Sequence, residues 1–165
     1  MKQTLALPSQ VLVEKSATQG SQFRDEICKA LSMYAGCARS INDLPDSILT
    51  SALSPLFTEV WPHLQQLLKT HPNDIELIEQ CCEFILTTIK ALAVGNVDVT
   101  HLFADLQTML LNAFITNSKN FKCLEAYAKT CKIFGAINDV VKTQIANTLD
   151  EVCGVVVTKL MKANV

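Results

Sequence analysis

The chain holds 165 residues, about one domain's worth. Its 49% hydrophobic composition excludes intrinsic disorder as the main state, and five glycines with five prolines are too few for a loop-rich all-β domain. A formal net charge of −2 gives no global attraction to nucleic acid or to an anionic membrane, while a charged fraction of 18% calls for an unusually large core or an absent neighbour.

Apolar residues recur at three- and four-residue intervals and strict alternation is nearly absent, so the chain reads as all-α. A ragged helix from Thr4 to Lys15, interrupted by Pro8, comes first. The first clear helix is predicted over 22–38, with Ser21 as N-cap and Phe23, Ile27, Ala30, Leu31, Tyr34 and Ala38 as its stripe. A polar linker, Arg39 to Asp46, leads to a second helix. It begins between Ile48 and Ser54-Pro55, where Ser then Pro suit the N-cap and first helical position. It runs to Lys69 with Leu56, Val60, Leu64, Leu67 and Leu68 inward. Pro62 inside it removes one backbone hydrogen bond and kinks it, and Trp61 packs beside the kink.

His71-Pro72-Asn73 makes a turn. Asn73 and Glu76 form a capping-box-like start to a third helix that runs to Ala93. Its stripe is Ile75, Ile78, Cys82, Ile85, Ile89 and Leu92, and Gly95-Asn96 stops it. Asp98 caps a fourth helix to Phe114, with Leu102, Leu106, Met109, Leu110 and Phe114 inward. Asn117-Ser118 separates it from a fifth, Lys119 to Phe134, whose core residues are Phe121, Leu124, Tyr127, Ala128 and Cys131; Gly135 ends it. A sixth spans Asp139 to Lys162 with Val141, Ile145, Leu149, Val152, Val156 and Leu160 inward.

The starts of helices two, four and six fall about 45 and 42 residues apart, and those of three and five about 44 apart, the period of HEAT and armadillo units. The expectation is a HEAT-repeat α-solenoid of about three antiparallel helix pairs. Its repeats fall approximately over 1–38, 48–93 and 98–135, with a half repeat at 139–162. A repeat cannot bury its own faces, and the last helix ends in Val155-Val156-Val157 and Leu160-Met161 without a polar cap. The chain therefore reads as a slice of a longer solenoid, whose extra hydrophobicity belongs to stacking faces. A closed six-helix bundle is the rival fold.

The seven cysteines, Cys28, Cys37, Cys81, Cys82, Cys123, Cys131 and Cys153, are odd in number and lack C-x2-C spacing. They read as reduced, small core hydrophobes, with Cys81-Cys82 at core and groove edge. Residues 1–13 lack the h-region of a signal peptide, and no run of about 18 apolar residues offers a membrane span. His63, His71 and His101 share no metal-ligand spacing, and phosphate-loop, nucleophile-elbow and zinc-protease motifs are missing. No cofactor and no catalytic residue is expected.

Val60-Trp61-Pro62-x-Leu64, His71 to Asp74, Ile78-Glu79-x-Cys81-Cys82, Gly95 and Phe134-Gly135 together resemble nuclear transport receptors of the importin-β (karyopherin-β) superfamily, nearest to the transportin-SR and importin branch. The resemblance covers about half the chain, Val60 to Gly135. It implies a non-enzymatic, cargo-binding segment from the later part of a receptor that shuttles between cytoplasm and nucleus. Protein cargo is the implied partner, and the Ran GTPase acts through the parent chain rather than through this segment. Direct nucleic-acid or membrane binding is not implied. In transportin-SR-like members the helix matching 74–92 is rich in arginine, which suits phosphorylated Arg-Ser cargo. Here it carries Glu76, Glu79, Glu83 and Lys90 and no arginine, so that cargo role does not carry over. Other HEAT scaffolds, of the phosphatase-regulatory or vesicle-coat kind, are the alternative.

Glu76, Glu79 and Glu83 fall at i, i+3 and i+7 on one helical face: either a solvated face or an acidic patch that prefers basic segments. Lys122, Lys129 and Lys132 make a partial basic stripe on the fifth helix, serving solubility or recognition. Residues 119–165 hold seven lysines against four acids, and residues 1–118 hold seven basic residues against twelve acids. The two patches can bind a mixed-charge cargo or pair with each other.

Overall fold

The structure, a computed structural model, describes residues 24–41, 46–94 and 100–163; within helices, the side chains at 41, 46–50, 52, 53 and 56 are left undescribed. The expected roles of Ser21, Phe23, the 4–15 helix, the linker at 42–45, Gly95-Asn96 and Asp98 lie outside the described residues. So does the inward role of the Leu56 side chain.

Every regular element among the described residues is helical: α1 (Arg24–Ile41), α2 (Asp46–Thr70), α3 (Ile75–Val94), a 3-10 turn (Thr100–Leu102), α4 (Phe103–Thr116), α5 (Phe121–Ile137) and α6 (Asp139–Ala163). The all-α expectation holds. α1 packs on α3 and α3 on α5. α2 packs on α3 and α4, α4 on α5, and α6 on α5.

With neighbours on three sides, α3 buries more than one stripe. Leu77, Cys81, Phe84 and Ala91 join Ile78, Cys82, Ile85, Ile89 and Leu92 in the core. Phe84 sits at its centre. Its ring lies 5.5 Å edge-on from Tyr34 of α1 and 6.2 Å stacked against Phe57 of α2, and Phe57 in turn packs at 5.3 Å on Trp61. Cys82 and Cys123 bring α3 and α5 together with their sulfurs 3.8 Å apart. A buried polar bridge links α4 to α5, where the Gln107 amide donates to the Thr130 hydroxyl at 2.8 Å and accepts from the Cys131 thiol.

The turns after α2 and α4 are closed by the same backbone bonds. The His71 N–H donates to the Leu67 carbonyl (3.0 Å) and the Asp74 N–H to the His71 carbonyl (3.1 Å). Positions 67, 71 and 74 become 113, 117 and 120: the Asn117 N–H donates to the Ala113 carbonyl (3.2 Å) and the Asn120 N–H to the Asn117 carbonyl (3.0 Å). The second turn is tied to the first. The side-chain amides of Asn117 and Asn120 both donate to the Pro72 carbonyl, at 3.1 and 2.9 Å.

Several local expectations change. α2 begins at Asp46, so Pro55 lies inside it with Pro62 instead of opening it. Packing against α3 and α4 outweighs the ~3 kcal/mol that an interior proline costs. Asp74 rather than Asn73 caps α3, because its carboxylate accepts from the Leu77 N–H at 3.1 Å while Asn73 faces Asn117. α5 starts at Phe121, after Asn120 has turned its amide to Pro72 and Ala113. It continues past Gly135 to Ile137. A Cβ on Gly135 would stand 3.6 Å from Ile145 and 3.9 Å from the Lys142 Cα, so the glycine sits at the α5–α6 approach rather than at a helix end.

Phe121, Ala128, Leu149 and Ile75, expected inward, are exposed, Phe121 by 60%. Ile75 opens its helix, and Phe121 and Ala128 lie off the face of α5 that Cys123, Ala126, Thr130 and Phe134 bury. Cys81 and Cys82 are both core residues, with no groove-edge role for either.

Phe84→Ala is expected to cost about 3–5 kcal/mol, as for a large aromatic removed from a close-packed core. Phe121→Ala is expected to change stability by less than about 0.5 kcal/mol. Urea denaturation followed by far-UV circular dichroism measures both. Equal costs would show that the two rings are not placed as described.

Candidate functional site

The starts of α1, α3 and α5 lie side by side, so the three helices run in one direction and share a face. Arg24, in the first turn of α1, donates through Nε to Asp74 at 2.6 Å and through a terminal nitrogen to Glu76. Arg39, in the last turn of α1, reaches Glu83. Two of the three acids on the α3 face are thus matched by arginines 52 and 44 residues away.

Asp74 is the least exposed acid of this network. Partial burial pushes its carboxyl up, but the Arg24 hydrogen bond, the Leu77 N–H and the Arg24 charge outweigh burial and hold it below the usual carboxylate range. The same carboxylate serves as N-cap and ion-pair acceptor. Around the exposed α5 lysines the pattern differs. Glu125 accepts from Lys122 at 2.8 Å and from Lys129, and these two bonds draw its carboxyl down to about 2.

The sequence-predicted residues divide between two hollows. Glu79 and Lys122 line a smaller one of about 320 Å3 with Ile78, Phe121 and Glu125. Glu76 stays at the Arg24 corner. Glu83, Lys90, Lys129 and Lys132 come together with Arg39 in a groove of about 610 Å3 between α3 and α5. Leu86, Ile133 and Ala136 supply its apolar lining. Lys90 and Lys132 have no ion pair among the described residues. Four cations against one carboxylate leave the lining positive, although α3 alone is acidic.

Sequence reasoning missed Arg24, Arg39 and Asp74. Only Asp74 had a local signal, as an Asp directly before a helix. Cysteine chemistry is quenched in the core. Burial pushes the Cys81 thiol up, and the hydrogen bond to Cys123 followed by burial does so for Cys82, so both stay protonated. Among the described residues, no group of three or more His, Cys, Asp and Glu is placed to hold a metal, and no helix is long and apolar enough to cross a membrane. No family model, curated protein or solved structure matches this chain.

A carboxyl with a depressed pKa stabilises the fold at pH values above its unfolded value, and that contribution disappears as pH falls through the folded value. The Asp74 contribution should therefore be complete above about pH 4–5 and fade below it. Asp74→Asn keeps an acceptor for the Leu77 N–H but loses the charge. It should cost about 1 kcal/mol at neutral pH and flatten the acid limb of the stability curve. Urea midpoints measured from pH 7 to pH 3 test this; an unchanged acid limb in Asp74→Asn would remove Asp74 from the account.

Proposed function

We propose that the chain is a HEAT-type α-solenoid segment that recognises a protein partner non-covalently, as part of a nuclear transport receptor of importin-β kind. The observation that carries the solenoid reading is the repeated turn, built from the same two backbone bonds at 71–74 and again at 117–120. Turns closed by the same two backbone bonds after α2 and α4 fit two successive antiparallel pairs, and neighbours in a solenoid touch pair by pair. The contacts of α1 with α3, α3 with α5, and α2 with α4 fit two such layers.

The face shared by α1, α3 and α5 is the recognition surface in this reading, because it carries the charged groove. α6 leaves Val140, Leu149, Val157 and Met161 exposed, as a helix does when a further repeat covers it. The transport role is narrower and rests on the likeness carried by Trp61-Pro62, Cys81-Cys82 and the turn between them. Cargo is then a protein, Ran acts on the parent chain, and the protein shuttles between cytoplasm and nucleus.

The test is capture of partners from cytosolic extract on the full native polypeptide that carries this sequence, with and without GTP-loaded Ran. A transport receptor should gain or release at least one partner when Ran-GTP is present. If the recovered set is identical in both arms, the transport role falls and a HEAT scaffold of another kind takes its place.

A further inference from the structure

We propose that the groove between the C-terminal halves of α3 and α5 binds an acidic segment of a partner protein, one in which carboxylates are interspersed with aliphatic side chains. The inference rests on the reading of the α1/α3/α5 face as a protein-recognition surface and names the chemistry of its occupant. Arg39, Lys90, Lys129 and Lys132 line the groove against the single carboxylate of Glu83. Lys129 is paired with Glu125 outside the groove and Arg39 with Glu83, which leaves Lys90 and Lys132 as the lining cations without an ion pair among the described residues.

Lysines near helix C-termini commonly offset the helix dipole, but neither α3 nor α5 has a basic residue in its last turn. Dipole compensation does not account for their placement. Gathering like charges on one concave surface is unfavourable unless an opposite charge arrives to meet them. Glu83 already serves Arg39, and Lys90 and Lys132 have no ion pair among the described residues. Binding of a carboxylate there uses charge that the fold itself leaves unmatched.

Leu86, Ile133 and Ala136 set the second requirement. They lie among the cations, so an occupant that buries aliphatic groups between its acids matches both parts of the lining. A nucleic acid matches only one part, because no aromatic side chain lines the groove to stack a base. α3 read by itself favours a basic partner. Arg24 and Arg39 reverse that preference by occupying Glu76 and Glu83.

The experiment is fluorescence anisotropy on the full chain with a fluorescein-labelled peptide of repeated Glu-Leu-Glu units. A twin with Gln for every Glu and a single-stranded oligothymidine of equal charge complete the probe set. The acidic peptide should bind more tightly than its Gln twin, and more weakly as salt rises. Lys90→Glu combined with Lys132→Glu should weaken it roughly tenfold or more. Lys159→Glu combined with Lys162→Glu, the same change in net charge placed on α6, should leave the Kd within about twofold. Lys90, Lys132 and Lys162 are exposed and Lys159 is half-buried, and far-UV circular dichroism checks that both variants fold.

Equal binding of the Gln twin, indifference to the Lys90/Lys132 reversal, equal loss in the α6 control, or binding of oligothymidine alone would each overturn the proposal. The two readings fail separately. If Ran-GTP-dependent partners are still captured by the parent carrying Lys90→Glu and Lys132→Glu, the groove's role is lost and the receptor reading stands. If the peptide behaves as expected but Ran-GTP alters no partner, the receptor reading is lost and the groove's chemistry stands.

Discussion

The turn at 71–74 is the constraint on which the arrangement of helices depends. Within four residues it offers the Pro72 carbonyl to Asn117 and Asn120 and the Asp74 carboxylate to Arg24. Three helix starts are thereby fixed against one another. Apolar packing drives the helices together, but it is non-directional and tolerates sliding. Hydrogen bonds to particular atoms do not. Each such bond contributes only about 1 kcal/mol net, so its larger effect is to select one register among several of similar buried area.

Asn120 shows how tightly that register is specified. Its amide nitrogen faces two carbonyls, from Pro72 and Ala113, so only the donor end of the side chain fits there. Among the described residues the acceptor Oδ1 has no partner although it is buried, and the same holds for the Thr88 hydroxyl. A buried acceptor without a donor is costly, and at Asn120 the two directed bonds of the same amide, to Pro72 of the other turn and to Ala113 of α4, offset that cost. With its nitrogen held by those two carbonyls, the side chain makes no Oδ1 cap bond, and α5 begins without a side-chain cap.

Helix type and order were legible in the sequence because burial against neighbours repeats every three to four residues, and Ile27, Leu64, Ile85 and Leu106 obey that period and are buried. The face of α5 was misread: Phe121, Leu124, Tyr127, Ala128 and Cys131 are exposed or half-buried, and Cys123, Ala126, Thr130 and Phe134 are the residues it buries. The punctuation was legible wherever it was local, as at His71-Pro72 and Asn117-Ser118. Reading failed where a second element intervenes. Gly135 looks like a stop and is a point of close approach to α6, which no feature of α5 announces. Phe121 continues the expected stripe, but the buried face of α5 runs through Cys123, Ala126, Thr130 and Phe134, and Phe121 lies on the other side of the helix. At the candidate site the failure was larger. Glu76 and Glu83 read as an acidic patch because their counterions sit on α1, in a relation fixed by packing and not by spacing along one helix.

The low charge content now has a location. α6 buries one residue, Val141, while Ile145, Val152, Val156 and Leu160 are half-buried and four large aliphatics point outward. Much of the excess hydrophobicity therefore lies on a helix surface and not in a larger core. The charged groove of α3 and α5 lies elsewhere, so the molecule has two surfaces with different physics. Attraction at the groove is screened over about 8–10 Å at ordinary ionic strength and weakens as salt rises. Contact through α6 would be strengthened by salts excluded from the surface, such as sulfate. Because salt moves the two in opposite directions, the sign of a salt response distinguishes a partner held in the groove from one packed on α6.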